Sequence, residues 1–302
     1  MSDRYTMEKT QQSQALETFN QTASVWQQKS TEARTYSLIQ NRNALVLDYL
    51  STCQSNSRFL DIGCGTGQLV VEAARRGYEA NGIDYSDTMI QYCLENARVA
   101  QVKAEFELAS IFDLSPIRQE YDLISALGFI EYLSQSELEL FLEKVLGMLS
   151  VNGKLFLGTR NRLFNVTTLN KFTDIEIELG NFDNLLRQAM AFQANGTPNL
   201  DLAFLKEFVG TEPQPREHPR TGVRVDKRYQ YSPGEIYGRL EVVGYQLEHL
   251  YPVHFHAFPS AFKQDNLGEH ERSARFVQDY APTDLRLVPW CSTLIFVVSR
   301  NV

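Results

Sequence analysis

Apolar residues at Leu38, Ile39, Leu45, Val46, Tyr49 and Leu50 recur at helical spacing, which predicts a helix over 32–50. A short apolar run, Arg58-Phe59-Leu60-Asp61-Ile62, then breaks into Gly63-Cys64-Gly65-Thr66-Gly67. With Leu69, Val70, Ala73 and Ala74 behind it, that pattern predicts a strand, a tight turn and a helix ending at Gly77. The alternation continues with a strand over 80–83, a helix from Ser86 through Met89, Ile90, Cys93 and Leu94, and strands over 104–108 and 121–126. Ser134-Gln135-Ser136-Glu137 has the spacing of a capping box and starts another helix, and Gly153 precedes a strand over 154–159. Strands alternating with helices at this pitch indicate a parallel, doubly wound sheet.

Beyond residue 159 the alternation stops for about seventy residues, longer than an ordinary connection. It resumes at Ser232-Pro233-Gly234-Glu235, which sets an N-cap, a proline at the first helical position and a glutamate at N3. That helix closes at Gly244 and leads to a strand over 245–251. A second irregular stretch runs to Trp290, and 292–299 supplies the last strand. The expected organisation is one sheet domain with insertions at 160–231 and 252–290. Both leave at or near the carboxyl ends of strands, where ligands bind in such sheets.

The chain has 302 residues, of which 43% are hydrophobic and 22% charged, a globular composition that excludes a disordered chain. The net charge of −8 argues against a broad duplex-binding face, so nucleic acid is not the expected partner. No apolar run approaches the roughly 18 residues of a membrane span, and the polar segment 1–22 lacks the apolar stretch of a secretory signal. Cys53, Cys64, Cys93 and Cys291 form no C-x-x-C pair and no metal spacing. A reduced, cytoplasmic protein is the expectation. Residues 1–159 carry a charge of −7 and residues 160–302 only −1, with all five histidines in the second part.

Glycines at 63, 65 and 67 give G-x-G-x-G, whereas the nicotinamide fingerprint would place the third glycine at 68, where Gln68 stands. Glycine suits this turn because it takes positive φ and lets a ligand approach the backbone. Asp84 closes the next strand, where a carboxylate can grip both hydroxyls of a ribose. Asp61 is a polar residue inside an apolar strand, a position that calls for a ligand or a backbone partner.

On these residues the chain resembles the class I S-adenosylmethionine-dependent methyltransferases. Residues 60–67 match their first motif and Gly82-Ile83-Asp84 the acidic second. Tyr121-Asp122-Leu123-Ile124 to Leu133 resembles their fourth-strand motif. The resemblance covers 58–159, and more loosely the helix and two strands that complete the sheet. It implies an α/β fold with a seven-stranded, mostly parallel Rossmann-like sheet and S-adenosyl-L-methionine as cofactor. Residues 1–55 would form a helical lid, 56–159 the cofactor-binding core, 160–231 an inserted substrate-binding segment, and 232–302 the end of the sheet with its insertion at 252–290.

By the same resemblance Asp61, Gly63, Cys64, Gly65 and Gly67 would line the methionine moiety, and Asp84 would hold the ribose. Tyr85 and Met89 would flank the adenine, with Ser110, Ile111 and Phe112 at its edge. Ala126, Leu127 and Gly128 would meet the methionine end. The family often has an acid where Ser110 stands, so adenine recognition there would rest on backbone groups. Tyr36, Asn41 and Arg42 lie on the helix that in the family folds over the cofactor, with Phe19 and Trp26 as anchors of that lid or as core.

Methyl transfer from a sulfonium is an in-line displacement, so the protein mainly positions the acceptor and supplies a base only where a proton must leave. Enzymes that methylate exocyclic or amide nitrogens carry Asp/Asn-Pro-Pro-Tyr after the fourth strand, where this chain has Ser125-Ala126-Leu127-Gly128. Arg160 and Arg162 follow the fifth strand on the cofactor side. Residues 216–228, including His218, Arg220, Arg224 and Arg228, pack five cations against two acids. Arginines forking onto phosphate or carboxylate would explain both groups, and a solvated loop is the alternative for the second. His254 and His256 flank Phe255 and, on an extended segment, face one side as base, substrate contact or ordinary loop histidines. No third ligand is evident beside them, so no metal is expected. Glu131 and Tyr132 stand where the family often places an acceptor-facing residue, or else are a helix-start acid and a packed ring.

The expected function is methylation of oxygen or nitrogen on a small anionic acceptor. A sugar or sugar nucleotide, a phosphorylated metabolite or a carboxylate-bearing natural-product precursor would fit. The rivals are a non-catalytic module that binds S-adenosylmethionine or a partner, and a nicotinamide oxidoreductase, which the glycine spacing disfavours.

Overall fold

The computed structural model describes residues 2–32, 36–115, 120–195, 202–209 and 229–301. In chain order these form helices α1 (Ser2–Thr31) and α2 (Leu38–Leu50), strand β1 (Arg58–Ile62), α3 (Gln68–Arg75), β2 (Glu79–Asp84), α4 (Asp87–Ala100), β3 (Glu105–Leu108) and β4 (Tyr121–Leu127). A 3-10 turn, Ile130–Tyr132, leads to α5 (Gln135–Met148) and β5 (Leu149–Arg160). Then come α6 (Phe164–Thr167), α7 (Thr173–Glu178), α8 (Phe182–Asn195) and a 3-10 segment, Leu202–Phe208. The chain closes with α9 (Pro233–Val243), β6 (Tyr245–Phe255), α10 (Ser260–Asp265), α11 (Leu267–Tyr280), a 3-10 segment, Leu285–Trp290, and β7 (Cys291–Arg300).

The strands make one seven-stranded sheet in the order β3-β2-β1-β4-β5-β7-β6. Every neighbouring pair from β3 to β5 is parallel, and β7 runs antiparallel to both β5 and β6. The order reverses between β1 and β4, which opens a crevice at their carboxyl ends. Helices cover both faces. On β7, Leu294, Phe296 and Val298 join one apolar cluster with α5, α8 and α9, while Ile295 and Val297 join a second with α2, α3 and β6. That alternation is the period of two a strand buried on both faces requires.

The capping signals at Ser134 and Ser232 are realised: each hydroxyl accepts the N3 amide and each N3 glutamate accepts the cap amide. Three expectations change. The predicted helix over 32–50 begins only at Leu38, where the Ser37 hydroxyl accepts the Gln40 amide. Ahead of it, within the 1–55 expected as helical, lies a 30-residue helix, α1, whose weak amphipathic contrast leaves little periodic signal. Of the two irregular insertions, the first holds α6 to α8. The second starts later, because β6 pairs with β7 as far as Phe255–Cys291, and it contains α10 and α11. No helix among the described residues is long and apolar enough to cross a membrane.

Candidate active site

The crevice at the carboxyl ends of β1 and β4 contains a cavity of about 210 Å³. Its floor is the turn after β1. The amides of Gly63 and Cys64 donate to the Ile83 carbonyl at 2.9 and 3.0 Å, which ties the turn to β2. The Gly65 amide donates to Asp84 Oδ2 at 3.0 Å, and the Ser86 amide to Asp84 Oδ1 at 2.9 Å. Gly65 has φ +55 and nothing within 4 Å of where a Cβ would stand, so the backbone there is open to a ligand. Burial pushes Asp84 up to about 6, against the amides of Ser86, Gly65 and Tyr85, which favour its charge.

Asp61 accepts the Ser125 hydroxyl at 2.5 Å across β1 and β4. Burial pushes it up to about 7, opposed by Ser125 and Arg42. Arg42 comes in from α2 and packs over Gly128, and burial lowers it against the charges of Asp61 and Glu131. Its Nε is buried with no hydrogen-bond partner. A guanidinium on a cavity wall with one nitrogen left unpartnered fits an anionic ligand group, such as a carboxylate.

The roof is α1, which contributes Phe19, Trp26 and Ser30. Asn20 accepts the Ser86 hydroxyl at 2.5 Å, Ser30 and Thr66 share a hydrogen bond at 3.1 Å, and Gln27 exchanges bonds with Asn96 and accepts one from Gln68. Phe19 meets Tyr132 edge to face, with ring centroids 5.1 Å apart. On the far side Arg160 lines the cavity and pairs through Nε with the buried Glu131 carboxylate at 3.3 Å. The backbone of residues 229–231 returns beside them: the Tyr229 amide donates to the Glu131 carbonyl at 2.9 Å and the Tyr231 amide to the Arg160 carbonyl at 3.2 Å.

Most sequence-derived candidates meet at this cavity. Arg42, Asp61, Gly63, Cys64, Gly65, Asp84, Tyr85, Met89, Ser110, Phe112, Leu127, Glu131, Tyr132 and Arg160 all line it. Ile111 and Ala126 do not, because both are buried in the core cluster around α5. Gly67 is also absent: it caps α3 with φ +80 and faces Cys93 and Phe106. Tyr36 points to the end of β6, where its hydroxyl accepts the Phe255 amide at 2.6 Å and donates to Gln278 at 2.9 Å.

Arg162 is brought elsewhere. The Asn161 side chain accepts the Leu163 amide and donates to the carbonyls of Val288 and Cys291, which turns the chain sharply after β5. Arg162 is thereby buried between Glu176, at 2.7 Å, and Glu235, at 2.9 Å. Burial opposes its charge, and the two carboxylates outweigh that and raise it overall. Burial in turn pushes Glu235 up to about 7.

His254 and His256 do come together, with His256 Nε2 3.3 Å from His254 Nδ1, but away from the cavity. His254 takes φ +62, stacks on Tyr36 and holds Ser292 Oγ at 2.7 Å. Among the described residues no group of three or more histidines, cysteines or acids could hold a metal ion. His218, Arg220, Arg224 and Arg228 lie outside the described residues. Sequence reasoning missed Asn43, Thr66, Gln68, Phe129 and Thr293, all of which line the cavity. The strand period of β7 could have singled out Thr293, and the turn's neighbourhood Thr66 and Gln68.

A twisted sheet with this order, its glycine turn and its carboxylate at the end of β2 define a class I Rossmann-like methyltransferase fold. Residues 59–153 match the methyltransferase domain family. Over those residues the chain is similar to S-adenosylmethionine-dependent methyltransferases. A ubiquinone biosynthesis O-methyltransferase of Nitrobacter winogradskyi is 30% identical over 122 residues, 40% of this chain and 44% of the relative. A protein of the same name from Mesorhizobium japonicum is 32% identical over 105 residues, 35% of this chain and 41% of the relative. The matches thus span less than half of these relatives' length. Among solved structures, magnesium protoporphyrin IX methyltransferase from Synechocystis with bound SAH superposes with a TM-score of 0.56 at 12% identity, covering 95% of this chain and 97% of that one. A SAM-dependent methyltransferase from Methanosarcina mazei gives 0.52 at 15% identity over 85% and 97%. Both likenesses are of fold.

Proposed function

We propose that the protein transfers a methyl group from S-adenosylmethionine to an oxygen of a small anionic acceptor. One observation carries the reading: the open backbone at Gly65, the Asp84 carboxylate and the Arg42 side chain line a single cavity. Asp84 would hold the ribose hydroxyls, Arg42 the methionine carboxylate and Asp61 the ammonium group. The bound cofactor supplies an electrophilic methyl carbon on a sulfonium. Glu131 is placed to orient an acceptor hydroxyl or take its proton, and Arg160 to attract the acceptor's negative charge. Helices α1 and α2 act as a lid that keeps water from the reacting carbon. The names of the curated relatives favour oxygen over nitrogen as the acceptor atom.

Calorimetric titration with S-adenosylhomocysteine tests the reading. Micromolar binding is expected, and Asp84→Ala should abolish it. Absence of binding to the folded wild-type protein would sink the proposal. For the acceptor, turnover on pools of carboxylates, phosphates and phenols should depend on Arg160, and an acceptor used equally well by Arg160→Ala would exclude the anionic preference.

A further inference from the structure

Two of the four cysteines meet under the glycine turn. Cys64 Sγ lies 3.8 Å from Cys93 Sγ, in van der Waals contact, and both are free thiols. Cys64 stands between Gly63 and Gly65 and lines the cavity. Cys93, on α4, is fully buried, and its thiol donates to the Gly65 carbonyl at 3.1 Å. The surrounding backbone leaves room for the two sulfurs. A Cβ on Gly67 would fall 2.8 Å from Cys93 Sγ, and one on Gly82 3.0 Å from Cys64 Sγ. The other two cysteines have no such neighbour: Cys53 donates to the Tyr49 carbonyl, and Cys291 is buried at the start of β7.

We propose that Cys64 and Cys93 form a reversible disulfide that switches off cofactor binding. The oxidant is a small peroxide entering through the cavity, so only protein without cofactor is open to it. The Cys64 thiolate attacks one peroxide oxygen; a sulfur–oxygen bond forms, the oxygen–oxygen bond breaks, and the departing hydroxide takes the proton that the thiol released and leaves as water. The Cys93 sulfur then attacks the Cys64 sulfenic sulfur, forming the disulfide and releasing a second water. Two thiols and one hydrogen peroxide thus yield one disulfide and two waters. The hydrogen bond to Cys93 and burial push the Cys64 thiol well above its ordinary range, so the reaction is slow at neutral pH and accelerates as pH rises.

The consequence for binding rests on the reading given under Proposed function. Closing from contact to a covalent sulfur–sulfur bond of about 2.05 Å draws the turn toward α4. Gly65 bridges the two systems, since its carbonyl accepts from Cys93 and its amide donates to Asp84. A shifted turn therefore disturbs both the open backbone and the ribose-holding carboxylate.

The test treats reduced, cofactor-free protein with hydrogen peroxide at mildly alkaline pH, followed by non-reducing peptide mass mapping and S-adenosylhomocysteine titration. A peptide linking Cys64 to Cys93 is expected, forming roughly tenfold more slowly under saturating S-adenosylhomocysteine. Affinity should fall by roughly tenfold or more on oxidation and return with dithiothreitol. Cys93→Ser should bind as the reduced wild type does and ignore peroxide; Cys93→Ala repeats the control should the serine variant misfold. Oxidation of Cys53 without the linked peptide overturns the proposal. So does a linked form of unchanged affinity, or one whose formation the ligand does not slow. Failure of the reduced protein to bind S-adenosylhomocysteine would instead count against the methyltransferase reading, and the mass map would still decide whether the disulfide forms.

Discussion

The two sides of the cavity are built by different means. On the side of β1 and β2 the groups come from short, contiguous segments: the turn at 63–67, Asp84 at the end of its strand, and the amides that bind it. On the side of β5 and β7 the wall depends on contacts between residues far apart in sequence, as Tyr229 reaches Glu131 and Arg162 reaches Glu176 and Glu235. A site made from one turn can be read from that turn. A site closed by distant partners is specified only once the chain has folded.

Arg160 and Arg162 put the difference within two residues: one faces the cavity, the other is sealed between carboxylates. Arg162→Met should therefore strip a buried charge from two acids and lower the unfolding free energy by about 3–5 kcal/mol in urea denaturation. S-adenosylhomocysteine affinity, measured on the folded fraction, should stay near wild type. A large loss of affinity with little loss of stability would erase the distinction between the two sides.

Gly67→Ala probes the other side. It forces a Cβ against Cys93 Sγ at a backbone angle of φ +80, and should cost about 1–3 kcal/mol of stability. Ser232→Ala removes one half of the box that starts α9 and should cost about 1 kcal/mol by the same measurement.

Acidity separates stability from binding. Asp61 and Asp84 titrate above their unfolded range, so the stability linked to their protonation is present at low pH and lost as pH rises through about 6 to about 7. With Asp84 in its proposed role at the ribose, S-adenosylhomocysteine affinity should strengthen over the same interval. The stability of Asp61→Asn relative to wild type should accordingly rise between pH 5 and pH 8, and a flat difference would show that burial does not control this carboxyl. The smallest effect is optical. Of the two tryptophans only Trp26 lines the cavity, so Trp26→Phe should abolish any fluorescence change on S-adenosylhomocysteine addition, and Trp290→Phe should leave it intact.

What was legible in sequence follows the same division. The glycine turn, Asp84 and both capping boxes are local patterns, and the structure places each as expected. Tyr36 is expected at the cofactor by its place ahead of the core, Arg162 by its place after the fifth strand, and His254 and His256 by their shared face, and none lines the cavity. Asn161 and its partners at 288 and 291 turn Arg162 away, and no spacing rule reports a bond across that separation. Positive φ at His254 breaks the alternation from which its direction was read. α1 carries too little amphipathic contrast for periodicity to find it, and only the family resemblance leads one to expect a helix in the segment that forms the roof.

The bridge between Asn161 and Tyr231 pins both ends of a segment of roughly seventy residues to one place beside β5. For a chain closed in this way, the entropy of closure grows only with the logarithm of its length, about 0.6 kcal/mol per doubling. Length between its helices is therefore cheap to change, whereas α8 shares one apolar cluster with β7 and is held to the sheet by its composition.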